Sequence, residues 1–193
     1  MKYLALAALT LSLAGCVAPV GPVEVTRFHA PDVAKLGKGA IAVEPAPGAD
    51  PASLEWQTYS AAVMRQLGQV GYTSAPAGSG GQVALVTVSR RTLQPSGSSP
   101  VSVGVGGSTG TYGSGVGLGI GLNLSPKPAA QITTDLAVSI RDRPSGATLW
   151  EGRASFTVSA KSPLATTALG APKMSEALFA GFPGQSGATI EVK

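Results

Sequence analysis

An α+β fold, in which a mixed and mainly antiparallel sheet carries two packed helices and a glycine-rich β-hairpin or loop excursion, follows from three observations on this 193-residue chain. Apolar residues alternate with polar ones in several short runs, two other segments repeat apolar residues at spacings of three and four, and Gly, Pro and Asp clusters separate them. Each pattern fits one element type. The apolar fraction is 44% and the charged fraction 12%, which supplies one core without the charge of a disordered chain.

The elements follow in order. Val23-Glu24-Val25-Thr26-Arg27-Phe28 interleaves apolar and polar residues, placing His29 at the end of an edge strand, and Gly39-Ala40-Ile41-Ala42-Val43 gives a second strand. Pro45, Pro47 and Pro51 then interrupt the sheet pattern, and Asp50-Pro51 offers an N-cap followed by Pro at the first helical position. Trp56, Tyr59, Val63, Leu67 and Val70 share one face of the resulting helix and are read as core. Gly71 stops it, so that Tyr72 folds back on the last turn. Val83 to Val88 is nearly continuous and β-branched, which predicts a central strand buried on both faces and ending at Arg90-Arg91. Ile132, Thr134, Leu136, Val138 and Ile140 alternate with Thr133, Asp135, Ala137, Ser139 and Arg141. After the turn Asp142 to Gly146, Trp150, Ala154, Phe156 and Val158 return in phase, which predicts an antiparallel hairpin with Trp150 as a core anchor. Met174, Leu178 and Phe182 predict a second helix over about 172–182, ended by Pro183-Gly184, and Thr189 to Val192 adds a last strand.

Residues 96–128 form an insertion in this domain, which spans 23–193. Val101, Val103 and Val105 alternate with Gly or Ser before the polar tip, and Val116, Leu118, Ile120 and Leu122 alternate with Gly after it. In extended form each run has an apolar side opposite a nearly bare one, so neither can fill a core from both sides. Two readings follow: a flexible excursion, because glycine raises the entropy cost of ordering, or an interaction edge open to a partner or lipid.

Motifs for chemistry are missing. The glycines alternate and give no G-x-G-x-x-G, and Gly37-Lys38 lacks the rest of a phosphate loop. His29 is the single imidazole and no G-x-S-x-G is present, so no hydrolase triad can be assembled. No catalytic, cofactor or metal residues are assigned, and no cofactor is implied. The formal charge of +4 is scattered apart from Arg90-Arg91, which reads as a solvated strand end, so nucleic acid is not an expected partner.

The start of the chain carries the clearest address. Lys2, an apolar run from Leu4 to Leu13 and then Leu13-Ala14-Gly15-Cys16 resemble a bacterial lipoprotein signal peptide covering 1–15. The apolar run is ten residues, half the roughly 20 that span a bilayer as a helix. The alternative is an ordinary secretory signal beside an incidental Cys. The resemblance implies lipid on Cys16, a tether over 16–22, and, with Val17 in place of aspartate, delivery to the outer membrane. Cys16 is the only cysteine, so its lipidation leaves no thiol for a disulfide or a thiolate metal site.

Beyond the signal, two stretches stand out together: Leu67-Gly68-Gln69-Val70-Gly71-Tyr72 and Ile140-Arg141-Asp142-Arg143-Pro144-Ser145-Gly146-Ala147-Thr148-Leu149-Trp150-Glu151-Gly152-Arg153-Ala154. With the closing Phe182-Pro183-Gly184 and Ser186-Gly187 they resemble the bacterial lipoproteins grouped as domain of unknown function 4136, over about 23–192. That resemblance implies a compact α+β domain with helices on a sheet and no established activity; the long glycine hairpin departs from it. The expected function is a non-enzymatic envelope lipoprotein, lipid-anchored in the outer membrane and facing the periplasm, with a structural or protein-interaction role. An envelope protein is its expected partner. The alternative is a lipoprotein that binds a small ligand between sheet and helix.

Overall fold

The computed structural model describes residues 20–94, 101–110, 113–122 and 129–193. The expected signal segment, Cys16 and the first part of the expected tether lie outside the described residues. The strands are β1 (Val23–His29), β2 (Ala40–Pro45), β3 (Thr73–Ser74), β4 (Gln82–Leu93), β5 (Val101–Gly110), β6 (Gly113–Leu122), β7 (Gln131–Asp142), β8 (Thr148–Ser159) and β9 (Thr189–Val192). Helix α1 (Leu54–Gln69) follows β2, and α2 (Thr167–Phe179) follows β8 after a short 3-10 turn at Pro163–Ala165.

Seven strands form one sheet in the order β3-β2-β4-β7-β8-β1-β9, and β5 pairs with β6 in a separate two-stranded sheet. Only the β2 pairings with β3 and β4 are parallel. The predicted antiparallel hairpin is β7–β8, with Ile140 opposite Trp150 and Leu136 opposite Ala154. Alternation sends Leu136, Val138, Ile140, Trp150, Ala154 and Phe156 to one face, where all are buried. There they meet Tyr59, Ala62, Val63 and Leu67 of α1 and Met174, Ala177, Leu178 and Phe179 of α2. Burying such side chains, at roughly 1.5–3 kcal/mol each, is what holds helices to sheet.

Several boundaries differ from the expectations, each for a local reason. Ser53 rather than Asp50 caps α1, its hydroxyl accepting from the Trp56 amide, while the Asp50 carboxylate accepts from Ala52 in a preceding turn. Helix α2 begins at Thr167 and carries Pro172 inside it, five residues earlier than the proline suggested. It also ends before Phe182, because Gly181 turns the chain into the left-handed region (φ +69°). Strand β4 is longer than expected, to Leu93, and is buried on both faces only at its start, where Val83 and Ala84 are both covered. Ala84 and Val86 are covered by the helices, whereas on the other side Leu85 is half-buried and Thr87 exposed. Strand β1 is not the outermost strand, since β9 pairs outside it from Val23 to Thr26, although that pairing stops short of His29.

Candidate functional site

The motif residues that stood out in the sequence meet at one end of the core. The Trp150 indole stacks on Phe179 with ring centroids 5.3 Å apart and lies against Phe182 at the same distance. Its Nε1–H donates to the Pro183 carbonyl at 2.9 Å. Gly152 makes the indole's position possible, because a Cβ there would collide with the Trp150 ring and with Leu178. Tyr72, two residues past α1 and its cap, packs edge-on to Phe182 and donates to Gln82 Oε1 at 3.1 Å. Gln82 in turn donates to the Lys35 carbonyl, which ties the loop before β2 to the same end. Gly71 (φ +106°) and Gly37 approach so closely that a Cβ on either would strike the other's neighbourhood.

Arg27 joins this end without a sequence signal for its role. It is 4% exposed, and its Nε and Nη2 donate to the carbonyls of Leu178 and Ala177, both at 2.9 Å. These are last-turn carbonyls of α2 that have no helical partner, and a cation there also meets the negative end of the helix. Burial lowers the guanidinium pKa from its ordinary value. Gly184 leaves the space for it, since a Cβ there would lie 2.8 Å from Arg27 Nη1. The Asp142 to Gly146 turn is equally occupied with structure: the Ser145 hydroxyl and amide both donate to the Asp142 carboxylate, lowering its pKa.

The opposite face of the sheet is open. Across it Ser155 donates to Asp135 at 2.7 Å, and Arg91 pairs with the same carboxylate at 3.2 Å. Glu44 takes hydrogen bonds from the Gly78 amide and Arg143, each at 2.7 Å, and these hold its carboxyl below the usual range. Two open depressions flank Arg153, which stands opposite Ala137 in the register. One, of about 320 Å³, is bounded by Glu24, Thr26, Asp135, Ser155 and Thr189; the other, of about 120 Å³, by Pro47, Leu85, Thr87, Ser139 and Glu151. The face can accept polar contacts, but the chain's one imidazole, His29, is in the phase of the covered face and bonds the Ala30 carbonyl through Nδ1. Among the described residues no group of three or more His, Cys, Asp or Glu could hold a metal ion. Arg90 and Arg91 diverge, Arg90 pairing with Glu55 of α1, so the doublet makes no anion clamp.

The third candidate is the β5–β6 hairpin. Its register sets Val101 opposite Leu122, Val103 opposite Ile120, Val105 opposite Leu118 and Gly107 opposite Val116. Opposed residues share a face, so all seven residues of the expected edge stand on one face. The intervening positions pair Ser102 with Gly121, Gly104 with Gly119, Gly106 with Gly117 and Ser108 with Gly115. Residues 95–100, 111–112 and 123–128 of this insertion lie outside the described residues. The pairing of the two runs is the hairpin that their period-two patterns predict, and the register adds which residues stand opposite each other.

Comparison with known proteins gives a family and a fold. The family model described as "Domain of unknown function (DUF4136)" matches residues 35–184. No curated protein matches the chain. A crystal structure of a PDZ domain protein from Parabacteroides distasonis is similar at a TM-score of 0.50 and 14% identity, over 98% of this chain. The chain spans 42% of that protein's length, and at this identity the likeness is one of fold. Two PelC dodecamer structures from Paraburkholderia phytofirmans align at TM-scores of 0.46 and 0.45 with 12% and 13% identity, over 83% and 85% of this chain and 98% and 99% of theirs.

Proposed function

The chain belongs to the family described as domain of unknown function DUF4136, and from that premise we propose that it is a membrane-anchored envelope lipoprotein with a non-enzymatic structural or protein-interaction role. The observation that carries the non-enzymatic reading is the employment of the motif residues. Gly71, Tyr72, Trp150, Gly152, Phe182 and Gly184 pack one end of the core, and Asp142 and Ser145 close a turn. The side chains among them pack against one another, and Gly152, which borders the smaller open depression, brings no functional group to it. The anchor rests on Leu13-Ala14-Gly15-Cys16.

The second reading, a ligand held between sheet and helices, has less support. That space is occupied by Trp150, Leu136, Met174 and Leu178, all fully buried. The larger depression lies on the opposite face of the sheet and is open to solvent.

Metabolic labelling with a fatty acid tests the anchor. The full-length protein should take up label and Cys16→Ser should not, because a hydroxyl cannot form the thioether. Label retained by the serine variant would remove the basis of the proposal. Affinity purification of the lipidated protein from its own envelope would then name the partner.

A further inference from the structure

The hairpin and the anchor leave the domain at the same end. Leu93, the last residue of β4, pairs with Gln131, the first of β7, and Gln131 pairs with Ser159. Each step back along β1 from Glu24 is a step forward along β8 from Ser155, which sets Val20 level with Ser159. Three residues separate Val20 from Cys16, and four extended steps reach no more than about 14 Å. A lipid on Cys16 therefore sets the end of the sheet from which the insertion departs, at Leu93 and Gln131, next to the bilayer surface. The motif-packed end, with Trp150 and Arg27, faces the other way.

The hairpin has the dimensions and patterning of a membrane strand pair. β5 and β6 are ten residues each, within the roughly 9–11 that cross a bilayer as tilted strands. At ~3.3 Å per residue and a ~45° tilt that is about 23 Å, close to the ~25 Å apolar band of outer-membrane barrels. One face carries the seven Val, Leu and Ile residues, with Thr109 and Ser114 nearest the tip; the other carries only Gly and Ser. From Thr92 to Pro126 the chain has no charged residue, while Arg90 and Arg91 precede this stretch and Lys127 follows it. No helix among the described residues is long and apolar enough to cross a membrane.

A lone hairpin cannot enter lipid. Each of its two outer edges presents unpaired N–H and C=O groups, costing several kcal/mol apiece in hydrocarbon, so spanning strands must close on themselves. The pairing groups that one copy lacks are those another copy offers. We propose that copies of this chain, each anchored through Cys16, align their β5–β6 hairpins edge to edge in a closed transmembrane β-barrel. Val101, Val103, Val105, Val116, Leu118, Ile120 and Leu122 face lipid, and the glycine face lines a watery lumen. The smallest such barrels have about eight strands, which asks for at least about four copies. This inference rests on the anchored reading above.

The test uses the lipidated full-length protein in vesicles of phosphatidylethanolamine and phosphatidylglycerol. Because Cys16 is the only cysteine and its thiol is consumed by lipid, Val103→Cys, Gly104→Cys, Gly119→Cys and Ile120→Cys each introduce one site for a polarity-sensitive thiol dye. The barrel requires blue-shifted, lipid-quenchable emission at 103 and 120 and aqueous emission at 104 and 119. The unlabelled protein should release entrapped carboxyfluorescein, and deletion of 101–122 should abolish release while leaving the melting temperature unchanged. Aqueous emission at all four sites in vesicle-bound protein overturns the barrel and spares the anchor, and burial of all four overturns the watery lumen. Loss of fatty-acid label at Cys16 is scored separately and overturns the anchored reading itself.

Discussion

Glycine does opposite work in the two parts of this molecule. In the seven-stranded domain several glycines stand where another group fills the space a side chain would take, among them Gly152 under the Trp150 indole, Gly184 beside the Arg27 guanidinium, and Gly71 against Gly37. In the β5–β6 hairpin glycine, together with Ser102 and Ser108, fills every position of one face. At those domain positions glycine marks tight packing within the chain. A repeated one removes half of the surface a core would need, and the proposed barrel gives the remaining apolar face a partner outside the domain.

The largest effects of mutation should fall on the motif-packed end. Trp150→Ala should cost about 3–5 kcal/mol, since it empties the site shared by Phe179, Phe182 and Leu178. Thermal or denaturant unfolding of the soluble domain measures it. A loss below about 1 kcal/mol would mean that this end tolerates a void and that the contrast with the hairpin is false. Gly152→Ala should cost about 1–3 kcal/mol, because the new methyl must displace the indole. It should also change the tryptophan emission, which a purely backbone effect would not do.

A smaller effect concerns pH. Glu44 is held below the usual carboxylate range by the Gly78 amide and Arg143. Its folded pKa is depressed, so its stabilisation is present above the ordinary carboxylate pKa and is lost as pH falls through the folded value. Glu44→Gln should therefore lose more stability at neutral pH than in acid, and the stability profiles of the two proteins should converge as pH drops. Parallel profiles would remove Glu44 from the account. The smallest change is expected in the hairpin: Gly119→Ala should alter the melting of the soluble domain by less than about 0.5 kcal/mol. Its effect should appear only in the vesicle assays.

Much of the domain was legible because its patterns are local. The β7–β8 alternation and the Tyr59, Val63, Leu67 stripe each fix a face within a dozen residues, and that face is the buried one. Boundaries set at a distance were less so. Phe182 continues the apolar spacing of α2, yet Gly181 ends the run and Trp150, 32 residues earlier in the chain, claims the ring. Arg27 sits in the phase of Val23 and Val25, which was the one available hint of its burial, but its acceptors are about 150 residues away. The double-sided burial expected for β4 holds only at Val83 and Ala84, because both helices cover the same face and no local run encodes where the second layer goes. For the hairpin, alternation predicts the two faces, whereas the departure of its insertion at the same end of the sheet as the start of β1 emerges only from the registers of β1, β4, β7 and β8.

Hydrogen exchange of the lipidated protein tests the contrast most directly, compared between detergent-free soluble domain starting at Val23 and the full protein in native envelopes. The amides of β7 and β8 should be protected in both. Those of β5 and β6 should exchange rapidly in the soluble domain and become protected in the envelope, as edges and faces find partners there. Strong protection of β5 and β6 in the isolated domain would contradict the account, because it would make the glycine hairpin a self-sufficient part of the fold.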